Sequence, residues 1–209
     1  QAAAVSVILL GYKYIKDKKL IKYMLVCIIA TLIHQFAFFA IAIYFVYYIS
    51  TTVNIVVSIV AFILSNYMLN YLAPKFYIFR LLSVYLKRTD QSGKIWLVLY
   101  TLIFIYVFFI LILIKRKNNL IDKEIKRLLN VVFIGTICPY VLGTGNGHRI
   151  GEYFLIFHIL LLALCNNKLN KSMKYAFNIM IIIVYIGYLY TTIRNGQYYI
   201  PYVSIWNVK

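Results

Sequence analysis

The chain has 209 residues, 64% of them hydrophobic, with a mean hydropathy of +0.84. Charged residues make up 13%, about half the share of a soluble domain, which excludes a water-soluble globular fold. The net charge of +17 sits in the breaks between apolar runs, where the positive-inside rule puts it. It points to a membrane, not to nucleic acid.

Apolar runs fall at 25–48, 53–72, 95–114, 129–142, 152–164 and 175–190, and 2–12 reads as the end of another. Each is predicted to be helical, because backbone polar groups in lipid must be satisfied within the segment. Stretches such as IWLVLYTLIFIYVFFILILI lack the strict alternation of a membrane barrel. The expected fold is all-α: a polytopic transmembrane helix bundle of about six to seven membrane segments, one of them a candidate to re-enter. The chain opens on Gln1 with no basic leader or cleavage site ahead of the first run. The expectation is one transmembrane domain over 1–209, the C-terminal part of a longer polytopic protein.

The first long run is broken near its middle. His34–Gln35 interrupts IIATLIHQFAFFAIAIYF, leaving two stretches that suit re-entrant half-helices better than full spans. The alternative is one long tilted helix with a polar pair facing the bundle. Loop charge favours the first. Segment 13–22 holds five Lys, 75–94 five Lys/Arg and 115–127 six. If every run crosses once, the basic residues divide 13 against 9; if 23–48 returns to its own side, they divide 14 against 8. The second arrangement puts 13–22, 115–127 and 168–174 inside, and 143–152 outside with 75–94.

Segment 75–87, KFYIFRLLSVYLK, spaces Lys75, Arg80 and Lys87 along an aromatic, apolar stretch. That suits a helix in the membrane interface, or one wall of a groove for an anionic lipid-linked substrate. Segment 115–127 is expected to be a solvated cytoplasmic loop. The 21 Tyr suit an interfacial belt and also sugar binding.

Residues 143–154, GTGNGHRIGEYF, hold four of the nine glycines. Gly143, Gly145 and Gly147 are expected to free the backbone for positive φ and close approach to a ligand. Arg149 and Tyr153, four apart, share a face if a helix starts here. The Arg149 guanidinium beside a helix N-terminus would suit a pyrophosphate. The equally weighted alternative is an Arg149–Glu152 ion pair capping the helix. The stretch lacks the ending of a P-loop and the βαβ context of a dinucleotide fingerprint.

Ionisable groups at membrane depth are costly and usually functional. His34, His148, Arg149 and Glu152 are therefore the candidates, with Arg194 after the last run. His158 reads as a packed histidine. Cys27, Cys138 and Cys165 read as small core residues. The spacing of Cys and His gives no metal-site pattern, and no cofactor is expected.

Three stretches, in order, resemble the EpsG-like group of Wzy-type polysaccharide polymerases. The first runs from AAAVSVILLGYKYIK to the A-x-x-I-H element holding His34. The second is HRIGEYFLIF, similar to the family's Arg-x-x-x-Tyr-Phe segment through Arg149, Tyr153 and Phe154. The third is YYIPYVSIW, similar to the aromatic Ile-Pro-Tyr element through Pro201 and Tyr202. The family carries further helices and an arginine ahead of the first stretch, upstream of Gln1. The His and Glu of GHRIGE are not its hallmarks.

The resemblance implies a multi-pass glycosyltransferase of the bacterial inner or plasma membrane, similar in fold to C-type glycosyltransferases and O-antigen ligases, and metal-independent. It implies undecaprenyl-pyrophosphate-linked glycans as substrates, the bilayer and other polysaccharide-assembly membrane proteins as partners, and undecaprenyl pyrophosphate as leaving group. Arg149 would hold the departing charge, with Arg80 or Arg194 helping. His34 or His148 would act as base, with Glu152 orienting or substituting. Tyr153 and Tyr202 would align sugar or phosphate. The rivals are a lipid-linked oligosaccharide flippase, a membrane scaffold and an O-antigen ligase. The flippase would need paired charges in several helices and an inverted repeat, and run 95–114 carries no charge.

Overall fold

The computed structural model describes residues 1–72, 74–77, 101, 105, 112 and 122–194. Among these the chain is all helical, with no strand. Most of segment 75–87 and of run 95–114 lies outside them. By internal contacts the chain forms two units, Gln1–Cys165 and Asn166–Lys209. The second holds one long helix, Lys171–Arg194.

In the first unit α1 (Ala2–Leu10) and α2 (Tyr12–Lys16) lead into α3 (Leu20–Ile33). A 3₁₀ turn, Gln35–Ala40, joins α3 to α4 (Ile41–Tyr48). Then come α5 (Thr51–Tyr67), α6 (Lys123–Leu142), α7 (His148–Leu155) and α8 (His158–Asn167). Of these, α6 and the helix running from Gly145 to Asn167 are long and apolar enough to cross a membrane.

Run 25–48 is thus not one helix; it breaks where the sequence places the polar pair. His34 takes an extended conformation, φ −153° and ψ 118°, and ends α3. The chain then comes back along itself. The Tyr23 hydroxyl donates to the Ala40 carbonyl at 2.9 Å, and the Tyr23 and Tyr44 rings stack at 6.2 Å. At the foot of this hairpin the Tyr48 hydroxyl donates to the Ile15 carbonyl. Entry and exit lie together, and His34 is the tip.

The foot is tied to the start of α6. Lys16 Nζ lies 2.9 Å from Glu124 Oε1, and the Tyr12 hydroxyl donates to the same oxygen at 2.7 Å. The bond to Glu124 holds the Lys16 ammonium above its ordinary range. The Arg127 guanidinium lies 4.7 Å from the centre of the Tyr48 ring and 5.4 Å from that of Tyr47, within cation–π range. Basic segments 13–22 and 122–127 therefore meet at one end.

Polarity is inverted relative to a soluble protein. Along α5, Val53, Ile55, Val56, Val57, Ile59 and Val60 are exposed, whereas Asn54 and Ser58 are buried. Apolar groups outside and polar groups inside are what a hydrocarbon solvent selects. The inward asparagines join helices. Asn54 Nδ2 donates to the Asn130 carbonyl at 3.1 Å, and Asn130 Nδ2 donates to the Ile49 carbonyl at 2.8 Å. Asn54→Ala and Asn130→Ala should each cost about 1 kcal/mol, because each removes a hydrogen bond that joins two helices. Thermal inactivation of the detergent-solubilised chain measures this, and a wild-type midpoint for Asn130→Ala would remove the claim.

Candidate functional site

From the foot, α6 carries the chain 20 residues, about 30 Å at 1.5 Å per residue. At its far end the glycine-rich stretch is not the loosened loop expected from composition. Gly143–Gly147 form a π turn that runs into α7 at His148. Only Gly143 has positive φ, 79°. Gly147 is helical, with φ −61°, and its role is close approach: a Cβ there would run into the Cys138 carbonyl oxygen and stand 2.8 Å from Pro139 Cα.

The same holds one turn on. Pro139 lies inside α6 and cannot donate to the Gly135 carbonyl four residues earlier. That oxygen faces Gly151, where a Cβ would stand 2.7 Å away. In return, a Cβ on Gly135 would lie 2.8 Å from Leu155 Cγ and 2.9 Å from Phe154 Cβ. Gly147 and Gly151 form a G-x-x-x-G pair, a known signal for close helix crossing in membranes. Gly147, expected from sequence to free the backbone for positive φ, serves this close approach instead.

The crossing aims α7 at the hairpin tip. The Tyr153 hydroxyl and His34 Nδ1 are 2.9 Å apart, with ring centroids at 6.3 Å. Tyr153 is completely buried, so its hydroxyl is engaged by the histidine and not presented openly to a sugar. Glu152 Oε1 lies 3.0 Å from His148 Nε2, one helical turn apart. Glu152 thus orients His148, in place of the ion pair with Arg149 weighed from sequence.

Arg149 is exposed, and its carbonyl accepts from Gln1 Nε2 at 2.9 Å. The His148 N–H bonds to the Gly145 carbonyl, so the expected bare helix N-terminus beside Arg149 is taken up by the π turn. Four of the expected side chains, His34, His148, Glu152 and Tyr153, pair two by two, and Arg149 lies beside them. His158 is buried with Nδ1 against the Leu155 carbonyl, the packed histidine of the sequence reading. Arg194 is the last residue of Lys171–Arg194, in the second unit; Arg80 and Tyr202 lie outside the described residues.

The EpsG family model matches residues 1–204. The chain belongs to the EpsG family. No curated protein and no solved structure matches it. EpsG-family membership implies a role like that of a polysaccharide polymerase, and with the two long apolar helices it makes this a membrane protein. The His34-bearing hairpin and the Arg149–Tyr153 helix, which carry the sequence resemblance, are the elements that meet here.

Proposed function

We propose that this EpsG-family chain polymerises undecaprenyl-pyrophosphate-linked repeat units into surface polysaccharide, as a metal-independent glycosyltransferase of the bacterial cell membrane. The observation that supports it best is the meeting of the hairpin tip with α7. That contact gathers a base candidate, His34, and a phosphate-binding candidate, Arg149, at one end of α6. The basic foot lies at the other end, about a bilayer's hydrocarbon thickness away.

With the foot on the cytoplasmic side, as its cations favour, the site opens outward, where a flipped lipid-linked unit waits. The acceptor hydroxyl loses its proton to His34 Nε2. Its oxygen bonds the anomeric carbon of the donor, and the bond from that carbon to the pyrophosphate oxygen breaks. The electron pair leaves on the diphosphate. Arg149 offers that charge a planar fork of donors. His148, paired with Glu152 at 3.0 Å, would order the incoming hydroxyl or the departing phosphate.

The full-length gene, restored to a polymerase-deficient strain, should return long surface chains on a gel. A transporter would leave no glycan at the surface of a strain lacking it, and a scaffold would leave chain length unchanged by site variants. Orientation has its own test. In a chain with Cys27, Cys138 and Cys165 replaced by serine, Asn146→Cys should react with a membrane-impermeant maleimide in whole cells. Lys18→Cys should react only after lysis. The reverse pattern would end the outward-facing reading.

A further inference from the structure

We propose that Tyr153 is a positioning residue: its phenol oxygen accepts the Nδ1 proton of His34 and so leaves Nε2 free to take the acceptor's proton. The inference rests on the reading of His34 as the base, and it replaces the substrate-aligning role expected of Tyr153 from sequence.

His34 is the extended residue between α3 and the 3₁₀ turn, so its ring projects from the hairpin tip instead of lying along a helix flank. A neutral imidazole carries one proton and can hold it on either nitrogen. Which nitrogen holds it depends on whether the partner of the other donates or accepts. Here Nδ1 has one, the Tyr153 hydroxyl at 2.9 Å. A phenol oxygen both donates and accepts. If it donated to Nδ1, the ring proton would sit on Nε2 and His34 could not act as base through that atom. Base function through Nε2 requires the opposite sense, with Nδ1–H donating to the Tyr153 oxygen.

A carboxylate at Nδ1 would fix the same tautomer and would also make the ring more basic. The neutral phenol fixes the ring and adds no charge. Its own position is rigid: Tyr153 is fully buried, on the helix that Gly151 holds against Gly135. The charged side chains of α7 are Arg149 and Glu152, of opposite sign, and Glu152 is paired with His148. After transfer, the imidazolium keeps its Nδ1–H bond to Tyr153 and gives the Nε2 proton to water.

The test uses full-length protein in proteoliposomes with a lipid-linked repeat unit, and ¹⁵N-histidine solid-state NMR. Tyr153→Phe keeps the ring and its packing and removes one oxygen. Its kcat should fall about 10²- to 10⁴-fold, the range over which a mis-set base costs activity, with KM within twofold of wild type. The His34 signals, assigned by their loss in His34→Gln, should show protonated Nδ1 and bare Nε2 in wild type. In Tyr153→Phe the Nε2–H form should appear. His34→Gln should abolish the further effect of Tyr153→Phe. Wild-type kcat in Tyr153→Phe, an Nε2–H ring in the wild-type spectrum, or an equal loss in both backgrounds would each overturn the positioning role while leaving the function intact. Wild-type kcat in His34→Gln would instead overturn His34 as base.

Discussion

Arg149→Ala should stop polymerisation at the single repeat unit. In the complemented strain the ladder of long chains collapses to a band of one unit, and in proteoliposomes kcat falls about 10²- to 10³-fold, the loss typical of deleting one donor to a developing negative charge. The leaving diphosphate gains charge only as the anomeric bond breaks, so the loss should lie in kcat more than in KM. Arg149→Lys should recover a minor part, because an ammonium restores charge but not the planar two-point fork. Folding is not the confounder here. The side chain is exposed, and thermal stability in detergent should stay at the wild-type value. An Arg149→Ala strain with a full ladder would remove the diphosphate role from this residue and return the site to His148 and Glu152.

The helical class and the hairpin break were legible in the sequence for one reason. A polar pair in the middle of an apolar run is expensive in lipid unless it marks a turn or a site, and His34–Gln35 is such a pair. Pairings across the chain were not legible. Tyr153 and His34 are 119 positions apart, and nothing in HRIGEYF announces that its tyrosine answers the histidine of ATLIHQF. The choice between Glu152's neighbours was decided by helix geometry. His148 stands four residues before it and Arg149 three, and α7 brings the first within 3.0 Å. Asn54 and Asn130 give no signal of their own, because each is a neutral amide near the start of a long apolar run. Their meaning is carried by the helix opposite, which sequence order does not reveal.

The glycines serve two purposes, and Gly143, with φ 79°, serves the first of them. Glycine permits positive φ, but it also permits two backbones to touch, and at 135, 147 and 151 the second property is the one in use. Gly147→Ala should therefore be among the most damaging small substitutions in the chain. The added methyl meets the Cys138 carbonyl and the Pro139 Cα, both backbone atoms with no rotamer to yield, so α7 must move away from α6. Overpacking of this kind costs about 1–3 kcal/mol. The unyielding walls put Gly147→Ala at the upper end of that range. Gly151→Ala should follow closely, since its methyl would meet the Gly135 carbonyl. Because α7 carries Arg149, Glu152 and Tyr153, the same displacement opens the contact with His34, and polymerisation should fall together with stability. Gly187→Ala is the control: nothing lies within 4 Å of the new methyl, and a helix gains from alanine over glycine, so stability should hold or rise. The two readouts, detergent melting and chain length, separate crossing from chemistry. Tyr153→Phe should shorten chains at nearly constant melting temperature, and Gly147→Ala should lower both. A Gly147→Ala protein with wild-type melting and full-length polymer would mean that α6 and α7 do not cross at these glycines, and the geometry that brings Tyr153 to His34 would fall with them.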